Sequence, residues 1–386
     1  MRRFVRRPLL LVAAVLVVGA ASAAGGVLAS RHQGASAASP KSGAGSPHPT
    51  LRVSSTTPAT GAQVQPDSDI LVTFSAPLAD YSPQPSLNPP VAGAWLPDGS
   101  SGLEFQSASG LPPGAAETVD IPGGGHGVVA TDGAELPTST SLSFTVAPMS
   151  TLRTQELLAT LGYLPLTFTP LSSAQVPSDQ MALDQPGTFN WKWTTMPGSF
   201  TSLWSQGQSN PITNGAVMAF ESQQGLATDG VAGPQVWSAL LSAVAEGQKD
   251  SNPNYDWADV STTVPESVTV WRNGSPVYTT VANTGIEAAP TEVGTWPVYA
   301  RYTSTTMSGT NPDGTHYDDP GVPWVSYFHG GDALHGFVRS SYGYPQSLGC
   351  VEMPPANAEM VFPYTPLGTL VTVEPQGTVN PTASSA

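Results

Sequence analysis

The chain of 386 residues contains a single cysteine. One thiol cannot build an internal disulfide framework, and it cannot assemble a Cys-rich zinc or iron–sulfur site. Positive charge is also scarce: 13 Lys and Arg stand against 28 Asp and Glu, and Arg2, Arg3, Arg6 and Arg7 fall in the first seven positions. Beyond residue 24 the nine remaining cations leave a formal charge of −19. A body without clustered cations is not built to grip phosphate backbones, so no nucleic-acid partner is expected. Gly and Pro are abundant instead, 39 of each, which favours strands, turns and linkers over long helices.

The N-terminus reads as an export signal, with Arg2–Arg7 charged, Pro8–Val18 apolar and Ala21-Ser22-Ala23 as a small-residue cleavage site. The apolar and small-residue character continues to Leu28, so residues 1–29 are either a cleaved signal peptide or an uncleaved membrane anchor. Both place the remainder outside the cytoplasm, and no cysteine follows at which a lipid could be attached. Residues 30–50 have the Ser, Ala, Gly and Pro composition of a linker, and 377–386 read as a disordered tail.

Three further segments differ in pattern, and together they predict a mainly β, multidomain protein. Over 51–147, short alternating runs such as Ile70–Phe74 and Leu142–Val146 are separated by turn clusters, including Pro97-Asp98-Gly99 and Asp132-Gly133. This predicts an N-terminal β-sandwich, and the stretch from Thr57 to Phe74 resembles bacterial immunoglobulin-like wall modules. His126 has no partner at metal-ligand spacing and reads as a solvated loop residue.

Residues 150–247 look helical at both ends, with Leu157, Leu158 and Leu161 on one face before Gly162 and Pro165 stop the helix. Arg153–Tyr163, together with Phe220 through Leu240 and its Asp229-Gly230-Val231-Ala232-Gly233-Pro234, resembles the small helical peptidoglycan-binding module of bacterial wall hydrolases. An apparent insertion, 166–210, interrupts it and carries Trp191, Trp193 and Trp204. Those rings would either form a glycan-facing flap or cover the small core.

Residues 253–376 form a mostly β domain with strand-like runs at Ser267–Trp271, Pro276–Val281, Trp296–Tyr302, Trp324–Phe328 and Thr369–Val373. Asn273-Gly274 is a strong two-residue hairpin signal. Cys350 lies here, preceded by Gly349, with His335-Gly336 upstream. Cysteine and histidine in an exported protein fit a nucleophile and its general base. A buried cysteine acting as a small hydrophobe fits the spacing equally.

The surrounding residues carry more. Trp324 through Gly336, followed by Tyr344-Pro345-Gln346-Ser347-Leu348-Gly349-Cys350-Val351, resembles the L,D-transpeptidase catalytic domain, whose signature is His-Gly, a gap, then Ser-His-Gly-Cys. The resemblance includes Asn283-Thr284-Gly285, Thr291 through Trp296, Gly309 through Thr315 and Pro366 through Thr369, covering most of 265–375.

What this resemblance implies is acyl transfer on peptidoglycan stem peptides. Cys350 would attack the carbonyl at stem position three and expel the terminal D-alanine. An amine of another stem would then resolve the thioester, or water would do so in a carboxypeptidase. His335 would be the base, Gly336 its carbonyl orienter, and the N–H groups of Gly349, Cys350 and Leu348 the oxyanion donors. No metal or organic cofactor is implied. The expected partners are stem peptides and glycan strands of the cell wall.

Two positions depart from the family pattern: Leu348 replaces the His of Ser-His-Gly-Cys, and Glu352 stands where Arg or Asn is common. Glu352 is expected to oppose an anionic substrate or thiolate, leaving altered preference or an impaired, purely wall-binding protein as the rival. Tyr327 and His329 are candidate substrate contacts, and Ser347 is expected to shape the turn before the cysteine. His316, Asp318 and Asp319 resemble a ligand cluster, but the turn-rich setting from Pro312 to Gly321 predicts a lid over the cleft rather than a metal site.

Overall fold

A computed structural model describes residues 50–375. The signal or anchor at 1–29, the linker at 30–50 apart from Thr50, and the tail at 377–386 lie outside the described residues. Among the described residues no helix is long and apolar enough to cross a membrane.

Eight short strands come first: β1 (Val53–Thr57), β2 (Gln63–Val64), β3 (Ile70–Phe74), β4 (Ser86–Asn88), β5 (Gly93–Asp98), β6 (Gly102–Ser107), β7 (Ala116–Ile121) and β8 (Thr140–Val146). They form two four-stranded sheets, ordered β1-β3-β6-β5 and β2-β8-β7-β4. Alternation sorts their side chains: Ile70, Val72 and Phe74 of β3 are buried, and they share one core with Val119, Leu142 and Phe144 of the other sheet. Trp95 and Phe105, directly opposite across β5 and β6, have ring centroids 5.4 Å apart.

The helical region begins with α1 (Thr151–Leu161). The Ser150 side chain accepts the Arg153 N–H at its start, and Gly162 closes it at φ +105°. A hairpin of β9 (Leu166–Pro170) and β10 (Gly187–Trp191), then α2 (Gly198–Thr201), fill the interval read from sequence as an insertion. The Gln155 side chain ties this interval to α1, donating to the Ser205 and Gln208 carbonyls and accepting the Gly207 N–H. Trp191 meets Phe200 edge-on and Trp204 tilts against Phe189, so these two rings cover the core rather than form a free flap. The helices α3 (Pro211–Gln224) and α4 (Pro234–Ala245) complete the region, each with proline in its first turn. Their core continues into the next sheet through Trp257, Trp271 and Leu370.

The last region contains β11 (Asp256–Ser261), β12 (Ser267–Arg272), β13 (Ser275–Val281), β14 (Gly294–Pro297), β15 (Ala300–Thr310), β16 (His316–His329), β17 (Asp332–Gly336), β18 (Val351–Met353), α5 (Pro355–Val361) and β19 (Leu370–Glu374). One sheet runs β13-β12-β11-β19-β14 and the other β15-β16-β17-β18. The Asn273-Gly274 turn joins β12 to β13 with positive φ at both residues, as a tight right-twisted hairpin requires. The sheets share a core in which Val260, Val270 and Val371 meet Phe328, Leu334, Val351 and Met353.

Two expectations are corrected here. The run Trp296–Tyr302 is not one strand, because the chain leaves β14 after Pro297 and enters β15 at Ala300, changing sheets. The stretch 312–321 is not an irregular lid: only Asn311–Thr315 turns, and His316 onward continues as β16 paired with β15. Pro320 and Gly321 sit within that long strand as a bulge between the Thr305–Val322 and Met307–Asp319 pairs, with Gly321 at φ +75°.

Candidate active site

Period-two alternation on two neighbouring strands creates the site. On β17, Leu334 enters the inter-sheet core, so Ala333 and His335 face the opposite side. The strand β18 runs parallel to β17, with Leu334 opposite Val351 and His335 opposite Glu352. Val351 and Met353 therefore join the core, while Cys350 and Glu352 face the same side as His335. Cys350, His335, Leu348, Glu352, Arg339 and Asp319 line one open cleft of about 350 Å³, with the β15–β16 hairpin as its other wall.

The loop that carries the cysteine is held by the Asn283-Thr284-Gly285 segment. Asn283 exchanges backbone hydrogen bonds with Glu352, at 2.8 and 2.9 Å, and the Thr284 carbonyl accepts the N–H groups of Gln346 and Ser347. Buried Glu266 accepts both the N–H and the hydroxyl of Thr284 at 2.6 Å, anchoring that segment in turn. The Ser347 hydroxyl donates to the Cys350 carbonyl at 2.5 Å and closes the turn. Gly349 has φ +109°, and a Cβ there would lie 2.3 Å from Asp332 Oδ1, so only glycine fits between the turn and that carboxylate. The N–H groups of Leu348, Gly349 and Cys350 donate to no other group among the described residues.

His335 is 2% exposed. Its Nδ1 lies 3.1 Å from the Gly336 carbonyl. A carbonyl only accepts, so Nδ1 carries the proton and Nε2 is the basic nitrogen. Burial lowers the His335 pKa from its usual 6.5, against smaller opposing effects from the Gly336 carbonyl and the Glu352 charge. Burial pushes the Cys350 thiol up from 9.0 to about 12; Asp332 and Glu352 add to this and the Ala333 N–H works against it. The resting pair is therefore neutral thiol and neutral imidazole. The thiol itself lies 3.6 Å from the Gly331 carbonyl.

Glu352 opposes the thiolate as expected, but it is not an unpaired charge. It is 5% exposed, and both its oxygens are engaged by Arg339, Nε and a terminal nitrogen each at 2.7 Å. Arg339 also lies 4.7 Å from the Phe337 ring, which stands edge-on to His335. Where the family pattern has Arg or Asn two residues after the cysteine, this chain has an anion whose compensating cation arrives from thirteen residues upstream. Sequence reasoning missed Arg339; the only signal was that an acid in this position needs a partner.

The other candidates are dispersed. Leu348 and Gln346 line the cleft. Tyr327 packs beside Cys350 and Val325 and forms an aromatic group with Tyr299 and Tyr302. His329 stacks on Trp296 at 4.4 Å, at the Gly330-Gly331 turn, and does not line the cleft that holds Cys350 and His335. On β16, Tyr317 and Asp319 line the cleft and His316 and Asp318 do not; His316 Nδ1 pairs with the Thr310 hydroxyl at 3.2 Å. Among the described residues no group of three or more His, Cys, Asp or Glu could hold a metal ion.

A cysteine and an oriented histidine that open into one cleft are an arrangement able to carry out nucleophilic acyl transfer. Residues 256–373 match the family model described as the L,D-transpeptidase catalytic domain (YkuD). Residues 195–240 match the putative peptidoglycan binding domain. An L,D-transpeptidase from Mycobacterium smegmatis is 12% identical, covering 85% of this chain and 100% of its own, with a TM-score of 0.28. L,D-transpeptidase 3 from Mycobacterium tuberculosis, solved with a faropenem-derived adduct, is 13% identical over 84% of this chain and 98% of its own, with a TM-score of 0.28. The catalytic domain of the E. faecium L,D-transpeptidase is 26% identical over 30% of this chain and 95% of its own, also with a TM-score of 0.28. With TM-scores this low, none of the three adds weight to the family match. No curated protein matches the chain.

Proposed function

We propose that the chain is a peptidoglycan L,D-transpeptidase that crosslinks stem peptides through a thioester on Cys350. The observation that carries this reading is the shared face of β17 and β18, which opens Cys350 and His335 into one cleft with the imidazole oriented by the Gly336 carbonyl. In this mechanism the thiol proton passes to His335 Nε2 as sulfur attacks the carbonyl of the third stem residue. Concerted transfer suits a pair that is neutral at rest, because no thiolate has to exist beforehand. The free N–H groups of Leu348, Gly349 and Cys350 receive the oxyanion, and His335 protonates the departing D-alanine. The acceptor amine then attacks the thioester, and Sγ leaves and recovers its proton. The protein would act outside the cytoplasm at the cell wall, with the 195–240 module as a second point of contact to peptidoglycan.

The test is intact-mass measurement after incubation with a carbapenem, followed by incubation with disaccharide-tetrapeptide. One adduct, absent in Cys350→Ala, with D-alanine release and dimer formation, is expected. An unmodified native protein would favour a wall-binding protein without activity, and tripeptide without dimer would favour an L,D-carboxypeptidase.

A further inference from the structure

The charges of the cleft distinguish its two substrates. Two carboxylates and one guanidinium line it: Asp319, Glu352 and Arg339. Arg339 is committed, because it meets both oxygens of Glu352 at 2.7 Å and reaches the Gln346 carbonyl at 3.4 Å. Glu352 is equally committed, and nearly fully buried. Asp319 is half-buried and makes no side-chain hydrogen bond or ion pair among the described residues. It sits on β16 opposite Met307 of β15, a second lining residue, and is near enough to affect the charge of both His335 and Arg339. The wall facing the nucleophile thus holds one uncompensated negative charge and no free cation.

From this we infer that Asp319 is the binding site for the acceptor's side-chain ammonium. The inference rests on the transpeptidase reading above. An ammonium brings three N–H donors and one positive charge, the complement of an unpaired carboxylate. Held there, the ammonium releases one proton to water. The amine then attacks the thioester carbon, the C–S bond breaks with its electron pair going to Sγ, and the second amine proton passes through His335 to sulfur. The products are the amide, the free thiol and one proton in solution. Water, the rival nucleophile, carries no charge and gains nothing from Asp319, so this residue biases the acyl-enzyme toward crosslinking.

The full chain is incubated with disaccharide-tetrapeptide as donor and increasing disaccharide-tripeptide bearing a free side-chain amine, and the ratio of dimer to released tripeptide is measured. This ratio cancels any change in acyl-enzyme formation. Asp319→Asn should lower it about tenfold, the scale of one lost charge-assisted contact, mainly through a higher KM for the acceptor. Asp319→Glu should restore most of it, and added salt should shrink the difference between wild type and Asp319→Asn. Cleavage of the acyl-enzyme by hydroxylamine, uncharged at neutral pH, should not follow the loss. An unchanged ratio in Asp319→Asn would overturn the inference, as would an equal loss with hydroxylamine, which would mean that Asp319 acts through His335. A wild-type protein that forms no acyl-enzyme would overturn the transpeptidase reading itself, and is recognised separately by the missing D-alanine.

Discussion

Replacing Glu352 with Gln isolates the ion pair that distinguishes this site from its family pattern. The substitution keeps size and backbone pairing to Asn283, and removes the charge that Arg339 grips with two contacts of 2.7 Å. Deleting one partner of a dry ion pair costs about 3–5 kcal/mol. The Arg339 side chain is 32% exposed, so water reclaims part of that charge, and a loss of about 1–3 kcal/mol is expected. At about 2–4 °C per kcal/mol for a unit of this size, thermal unfolding should shift down by about 2–12 °C. The effect on chemistry has the opposite sign. Glu352 is one of the carboxylates that raise the Cys350 thiol, so its loss should speed alkylation of Cys350 by iodoacetamide at pH 8. A double-mutant cycle with Arg339→Gln, read by thermal and denaturant unfolding, separates the pair from its surroundings. Coupling of about 1 kcal/mol or more is expected, and coupling below about 0.3 kcal/mol would refute the claim that the pair stabilises the fold. Glu352→Arg, which restores the family's cation, should lose more stability than Glu352→Gln because it opposes two guanidiniums.

Three further outcomes are expected. Because burial lowers the His335 pKa, its basic form persists to lower pH, and carbapenem acylation measured from pH 4.5 to 8 should fall only below about 6.5, the unperturbed value; a midpoint above that would contradict the neutral resting pair. Gly349→Ala, at φ +109° and 2.3 Å from Asp332 Oδ1, should abolish the acyl adduct and cost about 2–3 kcal/mol in denaturant unfolding; an unchanged acylation rate would show that the turn relaxes freely. Glu221 is fully buried with Oε1 unpartnered, and burial raises its pKa from 4.5 to about 7. A raised acid stabilises the fold when protonated, so that contribution is complete below 4.5 and lost as pH rises through about 7. Glu221→Gln should therefore raise the Tm at pH 8, by at most about 3 kcal/mol of stability, and change it little at pH 4.5; an equal effect at both pH values would contradict this.

Much of the fold is legible where local chemistry is strong. Alternation gave β3 and β8, Gly162 gave the end of α1, and Asn273-Gly274 gave the hairpin between β12 and β13. What escaped were elements whose pattern is short or ambiguous. The strand β17 carries His335 but has only five residues beside the Gly330-Gly331 turn, and α5 is a seven-residue helix that begins with proline. The hairpin β15–β16 was misread because Pro320 and Gly321 signal a turn, whereas they form a bulge with pairing to β15 resuming on either side.

By itself the sequence determined which atoms can react: one thiol, a histidine followed by glycine, and a glycine before the cysteine. Reactive groups are chosen by residue type, and residue type is what a sequence states. Tertiary structure decided which charges those atoms meet. Arg339 pairs with Glu352 because a loop returns it beside β18, and Asp319 faces the cleft because β16 alternates in register with β15. Contacts between residues far apart along the chain follow from strand pairing and register, so the balance of charge around Cys350 became visible only with the sheets assembled.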